Sequence, residues 1–264
     1  MTHSLKPPVW TWEIPTYFFV GGAAGASAAI AGVARLFGND PLLVRDARMI
    51  AAAGALISPL LLISDLGRPA RFLNMLRVFK LQSPMSIGAW TLVAFSASVF
   101  SSLLAPHRWI GVVADSSATL FGLILATYTG VLIGATTIPV WARHVSALPI
   151  LFGASALGTA ISLLELFGHR TRALNVAGIG AAAIETIAIL QIGFRERRFR
   201  SSRTRRSMAA RLGGWMAGPI PLILRLIGAE SWVLRTIAAC CTIVGSLNVR
   251  FAWMAAGKQS VSDT

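Results

Sequence analysis

The chain is poor in the residues from which metal centres and soluble surfaces are built. Only two of its 264 residues are cysteine, Cys240 and Cys241, and they are adjacent. Neighbouring residues on a helix point about 100° apart, which makes a poor metal pair. An iron–sulfur cluster asks for about four thiolates, so the chain is expected to carry none. Histidine is scarce as well. His3, His107, His144 and His169 all fall outside the apolar runs, which argues against a b-haem held between two spans. Charged residues make up 13% of the sequence, too few to clothe a soluble domain of this size. Acidic residues are the rarest of these, 10 against 24 lysines and arginines.

Apolar residues fill the place of the missing charge. They reach 55% of the sequence, and mean hydropathy is +0.68. Runs near 20 residues long, enough to cross a bilayer as helix, recur from end to end. The expected fold is an all-α integral membrane protein with about eight transmembrane helices, arranged as two four-helix bundles. The first run is too long for the core of a cleavable signal peptide. The net charge of +14 comes mostly from arginines at the ends of the runs. In a membrane protein that pattern reads as topology and lipid contact, not as a nucleic-acid surface.

The segment 64–86, within SDLGRPARFLNMLRVFKLQSPMSIGAW, organises the first half. It joins two apolar runs and is too polar to lie in hydrocarbon. Phe72, Met75, Leu76 and Phe79 recur at spacings of three and four, so an amphipathic interfacial helix is expected there. Before it, residues 1–13 form an interfacial lead, extended by Pro7 and Pro8 and anchored by Trp10 and Trp12. A first helix over 14–37 carries small residues for close packing, Gly21, Gly22, Ala24, Gly25 and Ser27. A second, over 49–63, follows a polar break and stops at Gly67 and Pro69. Two further helices over 86–105 and 115–137 complete a first unit, 14–144. A second unit, 145–255, holds helices over 145–167, 173–194 and 232–254. It also contains a basic loop at 195–211, with eight arginines and one glutamate. The apolar segment 212–228, interrupted by Pro219 and Pro221, is expected to be a broken or re-entrant helix. A flexible tail is expected at 256–264.

Few residues could carry chemistry. Glu185 lies deep in a span, where a carboxylate is costly and is expected to be protonated or paired; it is a candidate proton relay. Glu165, near a helix end where it could reach water, is a second. Asp115 is expected to sit near a helix start at the interface. Asp65 and Arg68 flank a glycine turn, where the carboxylate bonds either the guanidinium or local amides. Two spans separate Asp65 from Glu13, so both lie on the N-terminal face. With Trp12 they suggest a polar pocket suited to an amphiphile's headgroup. Tyr17 and Tyr128 are the only tyrosines. A phenolic hydroxyl in an apolar setting suits a carbonyl such as that of a quinone.

The stretches WEIPTYFFVGGAAGAS, DLGRPARFLNMLRVFKLQSPMSIGAW and YTGVLIGATTIPVW, continued by ALPILFGASALGTAISL, together resemble the NrfD/polysulfide-reductase membrane-subunit family. Their order and spacing match over roughly residues 10–190. The resemblance implies a subunit without haem or cluster of its own. It implies that the subunit binds quinone or quinol, menaquinone or ubiquinone, and exchanges electrons with a four-cluster, ferredoxin-like iron–sulfur partner. That partner leads to a molybdopterin or multihaem catalytic subunit. The resemblance places Tyr128, of the YTG motif, at the quinone headgroup. It sets the N-terminal entrance and the DLGRP turn on the partner's side. It links buried charges such as Glu185 to proton movement. A cell inner (plasma) membrane location follows from it.

Two other readings remain beside this one. Buried Glu185 and the broken segment also suit a proton or solute transporter, and the whole body also suits a plain membrane anchor for a redox enzyme. Orientation is open too. About 15 of the 24 basic residues fall on the N-terminal side and about 8 opposite, which favours a cytoplasmic N-terminus. The family resemblance implies the other side.

Overall fold

A computed structural model describes residues 10–38, 40–105, 107–198 and 208–262. Among these there is no strand. The helices are α1 (Glu13–Leu36), α2 (Pro41–Leu66), α3 (Pro69–Arg77), α4 (Pro84–Leu104), α5 (Arg108–Gly134), α6 (Pro139–Ala142), α7 (Ala147–Leu166), α8 (Arg172–Arg198), α9 (Met208–Ala217), α10 (Pro219–Ile227) and α11 (Trp232–Ser262). Seven of them, α1, α2, α4, α5, α7, α8 and α11, are long and apolar enough to cross a membrane. The protein is an all-α, multi-pass membrane protein.

The spans alternate in direction. One face therefore gathers the start of α1, the end of α2, α3, the end of α5, α6 and the end of α11. The ends of α1, α7 and α10 lie on the opposite face. Helices α1, α2, α4 and α5 pack on one another, as do α7, α8, α9, α10 and α11; α7 also lies against α1 and α5. Small residues set the closest approaches, as such residues do between membrane helices. A side chain at Gly25 would run into the backbone of Gly122 on α5, and one at Gly54 into Ala24.

Helix α2 begins eight residues before the expected position. Asp40 caps it by accepting from the Leu42 amide at 2.8 Å, with Pro41 in the first turn. A cap of this kind outweighs the polarity of Arg45, Asp46 and Arg48. The stop is as expected, at Gly67, whose φ of +68 favours glycine. The interfacial helix is present as α3 but ends at Arg77. Phe72 is buried, whereas Phe79 lies beyond the helix, 53% exposed, with its ring edge-on to Trp90.

The segment 212–228 is a broken helix. Its halves α9 and α10 meet at Gly218, which lies so close to the α8 backbone at Thr186 that a side chain would not fit. Pro219 and Pro221 lack the amides that would carry the ladder across the break. The two halves run alongside α11, with Gly213 beside Asn248 and Gly228 beside Leu234. Of the basic loop, residues 199–207 lie outside the described residues, as do residues 1–9 of the N-terminal lead, including His3, Pro7 and Pro8.

The expected flexible tail needs correction. Helix α11 continues to Ser262, and Ser260 and Val261 are buried. Its last turns pack on Trp141, whose indole touches Gly257 and donates to the Trp253 carbonyl at 2.8 Å. Trp10 stacks on the same indole, centroids 5.7 Å apart. Buried apolar contact holds a stretch whose polar composition suggests mobility.

Candidate functional site

Among the described residues, polar groups gather at the N-terminal face and at two buried places in the apolar body. The first is at the N-terminal face. The Thr11 hydroxyl donates to the Glu13 carboxylate, and Thr11 also hydrogen-bonds Asp65, which lies within electrostatic reach of Glu13. The start of α1 and the end of α2 thus bring two carboxyl groups to one threonine. Arg68 is exposed and forms no ion pair with Asp65 among the described residues. The turn is tied instead by Arg71, which donates to the Leu66 carbonyl at 3.1 Å. Trp12 stands 61% exposed beside the cluster.

Deeper on this side, Tyr17 of α1 and Tyr128 of α5 are both buried and within electrostatic reach of each other. The Tyr128 hydroxyl donates to the Pro84 carbonyl at 2.6 Å. Gly88, one turn along α4, lets the phenol ring lie against the helix backbone. The Gly88 amide hydrogen-bonds the same phenol, so the Tyr128 hydroxyl is held to the α4 backbone at two points. The buried Ser58 hydroxyl has no hydrogen-bond partner. It faces a methyl-sized gap at Gly21, where an added carbon would stand 3.4 Å from Ser58 Oγ and 3.5 Å from the Tyr17 ring. Two phenols and an unsatisfied hydroxyl thus lie near one another on this side of the apolar body.

The second cluster is in the middle of the membrane. Glu185 is 1% exposed and faces Ser155 and, further off, Arg250. Arg250 donates through Nη1 to the Ser246 carbonyl at 2.9 Å and to the Ser155 hydroxyl at 3.2 Å. The Ser155 hydroxyl donates to Ser246 Oγ at 2.7 Å. The guanidinium lies over the rings of Phe19 and Phe152, 5.7 and 5.2 Å from their centroids.

The third cluster, on the opposite face, holds Glu165. Arg225 takes both its oxygens, at 2.9 and 2.7 Å, and Arg235 donates to Oε1 at 2.6 Å. All three side chains are buried. The expectation that Glu165 reaches water is therefore corrected: two guanidinium groups enclose it instead. Asp115, expected at a helix start, sits seven residues into α5 and pairs with Arg35 and Arg48.

Sequence alone points to Tyr128, Tyr17, Glu13, Asp65, Glu165 and Glu185. It does not pair them with Arg225, Arg235 and Arg250. A signal is present, since each of those arginines interrupts an apolar run, where an isolated cation is costly.

The sequence matches the family described as polysulphide reductase, NrfD, over residues 1–197. It is also similar to the C component of the polysulfide reductase of Wolinella succinogenes, 31% identical over 202 residues, or 64% of this protein and 62% of the relative. The match thus spans about three fifths of that relative's length. The matched region holds α1 to α8, including both tyrosines, the Glu13–Asp65 face and Glu185. This protein belongs to the NrfD polysulphide reductase family.

Proposed function

We propose that the protein is the membrane subunit of a redox complex, that it binds quinone or quinol near its N-terminal face, and that it exchanges electrons with an iron–sulfur partner docked there. Through that partner it serves a molybdopterin or multihaem catalytic subunit at the cell inner membrane. Family membership and the name of the relative, one component of a reductase, support the redox complex. The observation that carries the quinone reading is the Tyr128 hydroxyl, buried beside Tyr17 and hydrogen-bonded to the backbone at the start of α4.

A bound quinone would supply two-electron chemistry coupled to two protons. The protein's own residues orient and protonate. Tyr128 offers a hydrogen bond to a headgroup carbonyl, and Ser58 a second donor on the α2 side. Glu13 and Asp65, joined by Thr11, sit where protons pass between the headgroup region and the water at that face. Glu185, with Ser155 and Arg250 around it, provides a proton-holding group in the middle of the membrane.

The test is the Tyr128→Phe variant of the complex. Losing one hydrogen bond of about 1 kcal/mol lowers quinone-linked kcat/KM by roughly fivefold, while dye-linked activity of the catalytic subunit stays at the wild-type level. Equal quinone-linked rates in variant and wild type would remove Tyr128 from the site. The interrupted span and buried Glu185 also favour a transport reading. Ion flux through the protein alone, without a redox partner, would support that alternative.

A further inference from the structure

Ser155, on α7, has one hydroxyl proton and two acceptors for it. Its Oγ donates to Ser246 Oγ on α11 at 2.7 Å. Glu185 of α8 faces the same hydroxyl as its side-chain hydrogen-bond neighbour, and Glu185 Oε1 has no hydrogen-bond partner. Ser155 and Ser246 are 0% exposed and Glu185 1%, so bulk water does not compete for the proton.

A hydroxyl donates once and accepts through two lone pairs. Arg250 Nη1 donates to Ser155 Oγ at 3.2 Å and fills one of them. Ser246 has a choice as well. Thr159 Oγ1 lies 3.0 Å from Ser246 Oγ and gives its own proton to the Ser155 carbonyl at 2.8 Å, which leaves its oxygen able to accept from Ser246. Two proton arrangements follow by hydroxyl rotation. With Glu185 protonated, its acid proton goes to Ser155 Oγ, Ser155 donates to Ser246, and Ser246 donates to Thr159. With Glu185 charged, Ser155 donates to the carboxylate, the stronger acceptor, and Ser246 donates back to Ser155. Both lone pairs of Ser155 Oγ are used in either arrangement.

We infer that Ser155 is a positioning residue for Glu185: its hydroxyl turns between Ser246 and the carboxyl, and so couples the proton on α8 to the Ser246–Arg250 pair on α11. The serines neither gain nor lose a proton; the one that comes and goes is that of Glu185. Among the described residues, the charged group acting on Glu185 is Arg250, since Arg225 of α10 is taken by Glu165. The coupling stands on hydrogen-bond geometry; its part in proton movement rests on the proposed function.

The test uses the full-length protein in its complex, in lipid nanodiscs, with pH-titrated difference infrared spectroscopy. The C=O band of protonated Glu185 is assigned by its loss in Glu185→Gln. In Ser155→Ala the acid loses the acceptor of its proton, and the band moves to higher wavenumber. In Ser246→Ala the Ser155 proton is left with the carboxyl, and the band moves to lower wavenumber. Arg250 keeps the backbone carbonyl of residue 246 in both variants, at 2.9 Å in the wild type, so both are expected to fold with Tm near the wild-type value. A band that stays in place in either folded variant, or moves the same way in both, overturns the coupling. So does the absence of any Glu185-dependent band at every pH at which the complex is folded. Quinone-linked turnover is read separately. A several-fold loss in Ser155→Ala, with dye-linked activity intact, supports a role in the relay. Full turnover with the band shifts present overturns that role and leaves the coupling standing. A wild-type complex without quinone-dependent turnover contradicts the proposed function, not the coupling.

Discussion

Tyr128, on α5, donates its hydroxyl to the carbonyl of Pro84, the first residue of α4, at 2.6 Å. The contact exists because α4 lacks a side chain at Gly88. The same turn is tied to the interfacial segment. The Ser86 hydroxyl accepts from the Lys80 amide at 3.0 Å and donates to the Val78 carbonyl at 3.3 Å. The segment after α3 is therefore hydrogen-bonded to the turn of α4 that meets the phenol.

Gly88→Ala places a methyl group into the Tyr128 ring. Overpacking of this kind costs about 1–3 kcal/mol. The expected outcome is a lower Tm in detergent and a quinone-linked rate reduced at least as far as in Tyr128→Phe. Combining Gly88→Ala with Tyr128→Leu relieves the clash and recovers Tm but not the rate. A Tm equal to wild type in Gly88→Ala would contradict this packing.

Glu165 balances two buried arginines, so its removal leaves unpaired cations. Breaking a buried pair costs about 3–5 kcal/mol. Glu165→Gln is expected to cut the yield of monodisperse protein on size exclusion several-fold. Adding Arg235→Gln removes one stranded charge and restores part of the yield. If the single variant accumulates like wild type, the carboxylate does not hold α7, α10 and α11 together.

Glu185→Gln keeps the shape of the side chain and removes the exchangeable proton. General acid–base groups contribute about 100-fold or more where they act in a rate-limiting step. Quinone-linked turnover is expected to fall by about tenfold or more, with dye-linked activity and Tm unchanged. Full turnover in this variant would exclude Glu185 from the relay.

Much of this architecture is legible in the sequence because the physics is local. Small residues along one face of α1, a glycine able to take φ of +68 at Gly67, and the three-four spacing around Phe72 each act within a few residues. What escapes depends on distance along the polypeptide. Arg225 and Arg235 reach Glu165 across 60 and 70 residues, and Arg250 faces Ser155 across 95. No local pattern announces such pairings. The start of α2 is hard to read because charge near Arg45 hides the Asp40–Pro41 cap. The tail misleads for a similar reason: Lys258, Gln259 and Ser260 are polar, but Gly257 lets the helix close on Trp141. In the candidate site, the hydroxyl of Tyr128 stands out by its rarity, but its acceptor, 44 residues away, does not.

The most direct measurement of the central claim is the quinone content of the purified native complex, extracted and quantified against the amount of this subunit. The account predicts close to one quinone per subunit in the wild type, with a clear loss on washing in Tyr128→Phe. A wild-type complex that turns over with artificial dyes but retains no quinone, and shows no quinone-dependent rate, would contradict it.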